Sequence, residues 1–299
     1  MNNGTLIPHI YNETEPVNIF GMDNRIEAYD FRLCVTNSPG NRVPFTKPAN
    51  YNASEWEFWR RLYEAQGPPT QVPIGACLGP IPNNYSDCGE APCLKCDMLG
   101  MKHGTDKLNG AWGYPNGTTA ERTAIRQAHI DYILGLLWFW QTDPSTGDAT
   151  HEEMKTLGFC KDEYTGNSGF PNDPPNWPYQ LYVREARRMV GDYVWTENPI
   201  SPELQNRSVG LGSYSFDVHW VTLFVDKTAA SPNISMEGRV NDNAGQVAFA
   251  IPYDTKLPKR NQLSNVLVPV AASMSHVRQN AVRMEPTWMI MGHASGVAA

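Results

Sequence analysis

The sequence has few charged residues and no long apolar run. Charged residues make up 18% of its 299 residues, and the net charge is −7. An acidic chain of this kind repels phosphate backbones and anionic lipid surfaces, so we expect neither nucleic acid nor a membrane as partner. The most apolar segment, residues 130–140, is too short to cross a bilayer. With 41% apolar residues the chain is nevertheless globular in composition, which excludes a disordered protein.

The first residues also lack the basic stretch and the apolar stretch of a signal peptide. The chain nevertheless carries roughly twice the number of Asn-x-Ser/Thr sequons that its composition gives by chance. They begin at Asn3, Asn12, Asn52, Asn84, Asn116, Asn206 and Asn233. Because such sequons are glycosylated in the secretory pathway, we expect a secreted or lumenal glycoprotein that lacks its N-terminal portion.

Most of the cysteines are clustered in a stretch that is rich in proline and glycine. The cluster consists of Cys77, Cys88, Cys93 and Cys96. Cys93 and Cys96 have the spacing of a zinc knuckle, but the other two do not form a second knuckle. Oxidising compartments favour disulfides over metal sites, so we predict that at least two of the four are disulfide-bonded and that no metal is bound.

The remaining two cysteines, Cys34 and Cys160, lie far from this cluster in the sequence. Each is either a small buried residue or one half of a long-range disulfide. The sequence leaves both interpretations open.

Helix and strand signals are mixed along the chain. An alternation of apolar residues over residues 25–36 predicts a strand, and capping boxes at Ser54, Thr118 and Thr150 predict three helices. Further strands are predicted on both sides of a polar loop over residues 228–245. The chain then closes with a predicted strand over residues 265–272, a turn and a helix. That helix is predicted to begin at Pro286, since the first turn of a helix does not need the missing N–H.

These segments, in this order, resemble the family of FAD-dependent oxidoreductases in which a substrate domain interrupts a Rossmann-like FAD domain. No single segment carries the resemblance, which depends on their order over most of the chain from Ile26 onward. The segments are residues 28–34, 110–115, 180–188 and 212–214, Asp217, His219, and residues 257–260, 265–270, 275–276, 283–286 and 292–299.

The resemblance implies an α/β (mixed α+β) fold. Residues 1–262 would form the substrate domain, with a mixed sheet, helices and a cysteine-rich insertion at about residues 76–97. Residues 263–299 would supply the closing strand and helix of the FAD-binding domain.

The glycine turn that binds the FAD pyrophosphate in such proteins is not found in this sequence. Gly210 and Gly212 have the spacing of the first two glycines of Gly-x-Gly-x-x-Gly, but Ser215 occupies the third position. We therefore expect the N-terminal dinucleotide-binding part to be absent and this partial chain to be inactive alone.

The resemblance nevertheless places flavin-contacting residues in the C-terminal segment. They are Ser275, His276, Arg283, Met284, Pro286 and Gly292. A helix that begins at Pro286 would direct its positive dipole end at the side of the flavin that gains negative charge on reduction, while Gly292 and Gly296 would allow close helix packing. The alternative is an ordinary strand and helix with a proline start.

His219 and Arg184 are the candidate catalytic residues. Oxidation of an alcohol or amine needs a base, and histidine is the usual base near neutral pH. Asp217, two residues earlier, would share a strand face with His219 and orient its ring. In the alternative interpretation, His219 is a hydrogen-bonded structural residue and Arg184 an ion-pair partner.

The sequence is compatible with three functions. The first is an FAD-dependent oxidoreductase that acts on an unknown small-molecule or carbohydrate-related substrate. The second is a secreted, non-enzymatic binding module whose tryptophans and tyrosines stack on sugars. The third is an interaction domain that zinc binding by the cysteine cluster would hold together. The sequence identifies neither the substrate nor the oligomeric state.

Overall fold

A computed structural model describes residues 6–11, 24–68, 95–98, 104–227, 233–241 and 248–299. The chain combines helices with short strands, which confirms the α/β class. The helices are α1 (Glu57–Gln66), α2 (Thr119–Thr142), α3 (Gly147–Thr156), α4 (Pro202–Asn206), α5 (His276–Val282) and α6 (Glu285–Ala298). The strands are β1 (Leu33–Thr36), β2 (Arg42–Pro44), β3 (Lys95–Met98), β4 (Gly158–Cys160), β5 (Ser208–Gly212), β6 (Asp217–Val218), β7 (Thr222–Asp226), β8 (Asn233–Glu237), β9 (Val240–Asn241) and β10 (Phe249–Pro252).

These elements belong to two compact units. Unit 1 comprises Met1–Asp23, Ala28–Val183 and Thr222–Met236, and unit 2 comprises Asn24–Glu27, Arg184–Val221 and Glu237–Ala299. The division into a substrate domain over residues 1–262 and an FAD-domain remainder over 263–299 stays a prediction. Of the helices in the described ranges, none is long and apolar enough to span a membrane.

A four-stranded antiparallel sheet in unit 1 has the strand order β2-β4-β1-β3. Its β1 confirms the second half of the strand that was predicted over residues 25–36. Cys34 and Cys160 form a disulfide between the neighbouring strands β1 and β4, which decides the alternative that the sequence left open. The side chains of the four clustered cysteines lie outside the described residues, so the disulfide prediction for them is untested.

Helix α2 forms as the sequence predicts. Thr118 accepts a hydrogen bond from the N–H of Glu121, the Glu121 carboxylate accepts one from the N–H of Thr118, and the helix ends at Thr142. Its second half is buried and packs on Trp56, whose ring stacks on Phe139. Gly135 permits this contact, because a Cβ atom at that position would lie 2.5 Å from Cζ2 of Trp56.

The predictions of capping boxes at Ser54 and Thr150 were wrong. Asn52, not Ser54, caps the first turn there, and that turn is a 3-10 turn that precedes α1. Its side-chain oxygen already accepts the N–H of Ser54. Helix α3 begins at Gly147, so Thr150 lies inside it and is buried. At Ser54 the cause is the polar side chain of Asn52 just upstream, which accepts a free N–H first; at Thr150 the helix has already begun after the turn that ends at Thr146, without a side-chain capping hydrogen bond.

The core of unit 2 lies between an antiparallel strand pair, β5–β10, and the C-terminal helices. Its buried apolar residues are Trp195, Ile251, Ala272, Met274, Val282 and Met291. The guanidinium of Arg278 lies over the rings of Trp195, Phe216 and Phe249, which accommodates a buried cation by cation–π contact.

The strand predicted over residues 265–272 does not form. The segment makes isolated backbone hydrogen bonds, from Val268 N–H to the carbonyl of Lys256 and from Met189 N–H to the carbonyl of Ala271. Pro269 has no N–H to give to a ladder, which interrupts regular pairing. The predicted turn beyond it contains helix α5, whereas the predicted helix at Pro286 is confirmed, since α6 begins one residue earlier with proline in its first turn.

The packing of Gly135 gives a stability prediction. Gly135→Ala should lower the free energy of unfolding by about 1–3 kcal/mol, because its methyl group overlaps the buried Trp56 ring. Gly292→Ala is the matched control: a Cβ there meets no atom within 4 Å, so better helix propensity should raise stability by about 0.5–1 kcal/mol. Urea unfolding measures both, and equal stabilisation by the two substitutions would contradict the packing of Trp56 on α2.

Candidate active site

All the site residues that the sequence predicts lie in unit 2. They are His219, Arg184, Ser275, His276, Arg283, Met284, Pro286 and Gly292. Three of them, His219, His276 and Arg283, belong to one network of hydrogen bonds and ion pairs. The network is joined by three carboxylates, those of Glu27, Glu185 and Asp217.

Glu185 forms the buried centre of this network, and its side chain is 1% exposed. Oε2 lies 2.7 Å from Nδ1 of His276 and accepts a hydrogen bond from Arg188 at 3.0 Å, while Oε1 accepts the backbone N–H of Glu27 at 2.9 Å. Burial raises the pKa of Glu185, but the His276 hydrogen bond and the surrounding charges outweigh it and bring the pKa below its usual range. The same contact raises the pKa of His276 above its ordinary value in spite of burial. The pair is therefore a charged carboxylate and an imidazole that readily holds a proton.

Glu27 has the opposite electrostatic character. Burial and the neighbouring Glu185 raise its pKa, against the opposing charges of Arg283 and Arg184. Oε2 accepts the backbone N–H of His219 at 2.8 Å, and Oε1 is buried and accepts no hydrogen bond from any described residue. Two neighbouring buried carboxyls whose pKa values move apart, one lowered and the other raised, are typical of an acid–base site.

Asp217 is the anion next to His219. Its Oδ2 lies 3.6 Å from Nε2 of His219, and it accepts hydrogen bonds from Tyr214 Oη at 3.0 Å and from Arg283 at 3.1 Å. Contact with His219, followed by the charge of Arg283, holds the pKa of Asp217 well below its usual range. Asp217 is therefore a fixed negative charge beside His219, and Nε2–H is the tautomer that it favours in the ring.

The other predicted residues have structural contacts of their own. Ser275 caps α5 by accepting the N–H of Arg278 and also donates to Glu197 at 3.1 Å. Arg184 is 2% exposed. The close helix packing expected at Gly292 is not seen among the described residues, since a Cβ there would meet none of their atoms within 4 Å. The flavin contacts and the catalytic role assigned to these residues stay predictions.

The start of α6 is the place where the sequence predicts contacts with one end of a flavin ring. Met284 is the N-cap of this 14-residue helix and makes no side-chain capping hydrogen bond, and Pro286 occupies its first turn. The guanidinium of Arg283 directly precedes it in the chain. The positive end of the helix dipole and the charge of the arginine would together suit an oxygen or nitrogen atom that becomes negative on reduction. Arg283 and the first turn of α6 would thus hold the ring of a flavin cofactor, whereas no glycine turn of this sequence suits its pyrophosphate.

Sequence reasoning missed Glu27, Glu185 and Arg188 as site residues. Glu27 had a usable signal, since it is a carboxylate between Ile26 and Ala28 in a segment that reads as a buried strand. A buried charge is costly unless it is paired, and it therefore marks a partner elsewhere in the fold. Glu185 had no such signal, because it lies among arginines that resemble an ordinary solvated run.

The contact between Glu185 and His276 predicts a pH dependence of stability. A raised pKa means that the folded state binds this proton more tightly, so the contribution of His276 is present below its unfolded pKa of about 6.5 and is lost as the pH rises through the folded value. We expect the free energy of unfolding to fall as the pH rises above about 6.5, and His276→Gln to flatten that slope. The exposed His293, changed to Gln, serves as control. Identical slopes in wild type and His276→Gln would refute the assignment.

Comparison with known proteins identifies the family. A family model described as FAD dependent oxidoreductase matches residues 4–299. No curated protein and no solved structure matches the chain. Since the family model spans nearly the whole sequence, FAD is the cofactor that the family implies. The chain belongs to the family of FAD-dependent oxidoreductases.

Proposed function

We propose that this chain works as part of a longer, secreted flavoprotein that oxidises a small-molecule or carbohydrate-related substrate, with His219 as the proton acceptor. The observation that carries the proposal is the position of His219 between two carboxyl groups. Glu27 accepts its backbone N–H, and Asp217 lies 3.6 Å from Nε2 of its ring. A histidine whose backbone and ring are both held by acidic groups is well suited to general-base chemistry.

The residues divide the work as follows. Asp217 favours the tautomer with the proton on Nε2, which leaves Nδ1 of His219 to take a proton from the substrate hydroxyl or amine. The imidazolium that results is stabilised by the negative charge of Asp217, which Tyr214 and Arg283 hold in place. When bound, FAD supplies the acceptor for the two electrons that leave the substrate. Arg184 has a positioning role. Its positive charge lowers the pKa of Glu27 and so counteracts the effect of burial on that carboxyl group.

Two features support secretion. Unit 1 contains the disulfide between Cys34 and Cys160, a bond that persists in oxidising compartments. The sequon asparagines in the described ranges are also all exposed, as glycosylation requires; they are Asn52, Asn116, Asn206 and Asn233.

A sugar-binding module without enzymatic activity is the second candidate. One specific observation favours it, a cavity of about 450 Å³ within residues 164–179 of unit 1. Aromatic rings of Tyr164, Phe170 and Tyr179 line it together with the amides of Asn167 and Asn176, a combination that suits a neutral sugar. Calorimetry with mono- and disaccharides tests this candidate, and the flavin content of the protein separates it from the enzyme.

The proposal that a further segment completes the cofactor site predicts weak FAD binding. The 299-residue chain, purified alone, should lack a stoichiometric flavin band in its visible spectrum. The reason is that it has no pyrophosphate-binding glycine turn, whose hydrogen bonds to a charged group are among the stronger ones available. A full, stable flavin band after gel filtration would contradict the need for another segment.

The role of His219 predicts a loss of rate without a loss of cofactor. In the flavin-loaded longer protein, His219→Gln should retain FAD but reduce the flavin roughly 10²–10⁴-fold more slowly with a confirmed substrate. Stopped-flow absorbance measures this step. His151→Gln, on helix α3 in unit 1, is the control and should keep the wild-type rate. An unchanged rate in His219→Gln would leave His219 with a structural role only.

A further inference from the structure

Unit 1 contains a cavity of about 220 Å³ beside His9 that the proposed flavin chemistry does not use. Two of its walls are the buried rings of Trp56 and Tyr132. Gly135 lets the Trp56 ring lie against α2, and the hydroxyl of Tyr132 donates to the carbonyl of Gly104 at 2.8 Å. The apolar walls are thus held in place by packing and hydrogen bonding, as in a preformed ligand pocket.

His9 is held at the cavity in an unusual conformation. Its φ angle is 65°, in the left-handed region that residues other than glycine seldom adopt, and Asn109 donates a hydrogen bond to its carbonyl at 3.0 Å. The ring packs against Trp56, Trp59 and Tyr132 at centroid distances of 5.3 to 5.6 Å. Backbone strain that the surroundings maintain is concentrated at functional sites.

The imidazole of His9 is a neutral polar group with unused hydrogen-bonding capacity. Nε2 is buried, makes no hydrogen bond within the described part of the chain and lies 3.8 Å from Oε2 of Glu55. Burial, followed by the charge of Lys107, lowers the pKa of His9 to about 3, so the ring is uncharged at neutral pH. A buried nitrogen without a partner costs stability, which a bound ligand can offset.

Charges of both signs line the same cavity. Lys107 lies with Nζ 4.9 Å from the centroid of the Tyr132 ring, and among described residues it forms neither a hydrogen bond nor an ion pair through Nζ. The side chain of Glu55 is 47% exposed. Oδ1 of Asp131 accepts a hydrogen bond from the side-chain amide of Gln127 at 2.9 Å. The two carboxylates repel a simple anion, and the lysine repels a simple cation. A molecule that carries both charges satisfies both sets of groups.

We infer that this cavity binds a small zwitterion of amino-acid size. Its carboxylate pairs with Lys107, its ammonium group pairs with Glu55 and Asp131, and its apolar part packs on Trp56 and Tyr132. The volume supports a small ligand, since drug-sized molecules occupy pockets of about 300–1,000 Å³. The inference concerns unit 1 alone and does not depend on the proposed flavin chemistry.

Calorimetry with the intact chain tests the inference against the twenty common amino acids. For the amino acid that binds best, the matched probes are its decarboxylated amine and its deaminated acid. The zwitterion should bind at least tenfold more tightly than either probe, because each probe leaves one set of charges unpaired. Binding by no amino acid, or equal binding by the amine or the acid alone, would overturn the inference.

Substitutions locate the binding to this cavity. Lys107→Met and Glu55→Gln should each weaken binding at least tenfold, and Lys107→Arg should restore part of it. The exposed pair on α3, changed as Lys155→Met and Glu152→Gln, provides matched controls that should bind as wild type does. Circular dichroism confirms that each variant folds. Unchanged affinity in folded Lys107→Met and Glu55→Gln would overturn the assignment to this cavity.

Discussion

The carboxylate of Glu185 is almost wholly shielded from solvent, and the arrangement of unit 2 around it follows from the need to satisfy that charge. His276, Arg188 and the N–H of Glu27 all direct hydrogen bonds at its two oxygens. Loss of the carboxylate would remove a shared acceptor from three donors at once, which costs more than one hydrogen bond is worth. Burial, together with the negative charge of Glu185, raises the pKa of the neighbouring Glu27. Glu27 in turn fixes the backbone of His219, so the position of the candidate base depends on a residue that never touches it.

Unit 1 is stabilised by a different kind of interaction. Aromatic stacking on α2, rather than a charge network, holds Trp56 and Tyr132, and a glycine at position 135 makes the close approach possible. The polar groups of its small cavity, His9 and Lys107, are placed against these rings, and the carboxylates of Glu55 and Asp131 line the same cavity. Rigid apolar walls with a few unpaired polar groups favour ligand recognition, whereas the paired carboxylates of unit 2 favour proton transfer.

Some local features of the fold, such as one helix cap and one short-range contact, could be predicted from the sequence. The capping box at Thr118 formed, whereas the box at Ser54 failed because Asn52 caps the turn there, and the box at Thr150 failed because α3 begins at Gly147, after the turn that ends at Thr146. The contact of Asp217 with His219 could be foreseen from a spacing of two residues. Contacts between distant residues could not be foreseen. Glu27 and Glu185 are 158 positions apart, and neither segment has a pattern that indicates a contact with the other. The order of the segments did indicate the family, because that order can be read from the sequence without knowing which residues are in contact.

Hydrogen exchange at the backbone amide of His219 tests most directly whether Glu27 positions the candidate base. Glu27 accepts this N–H at 2.8 Å, so the amide should exchange slowly in the wild type and at least tenfold faster in Glu27→Ala. The amides of Leu211 and Ala250, in the β5–β10 pair, should keep their exchange rates in both proteins. An exchange rate at His219 that does not change in Glu27→Ala would contradict the account.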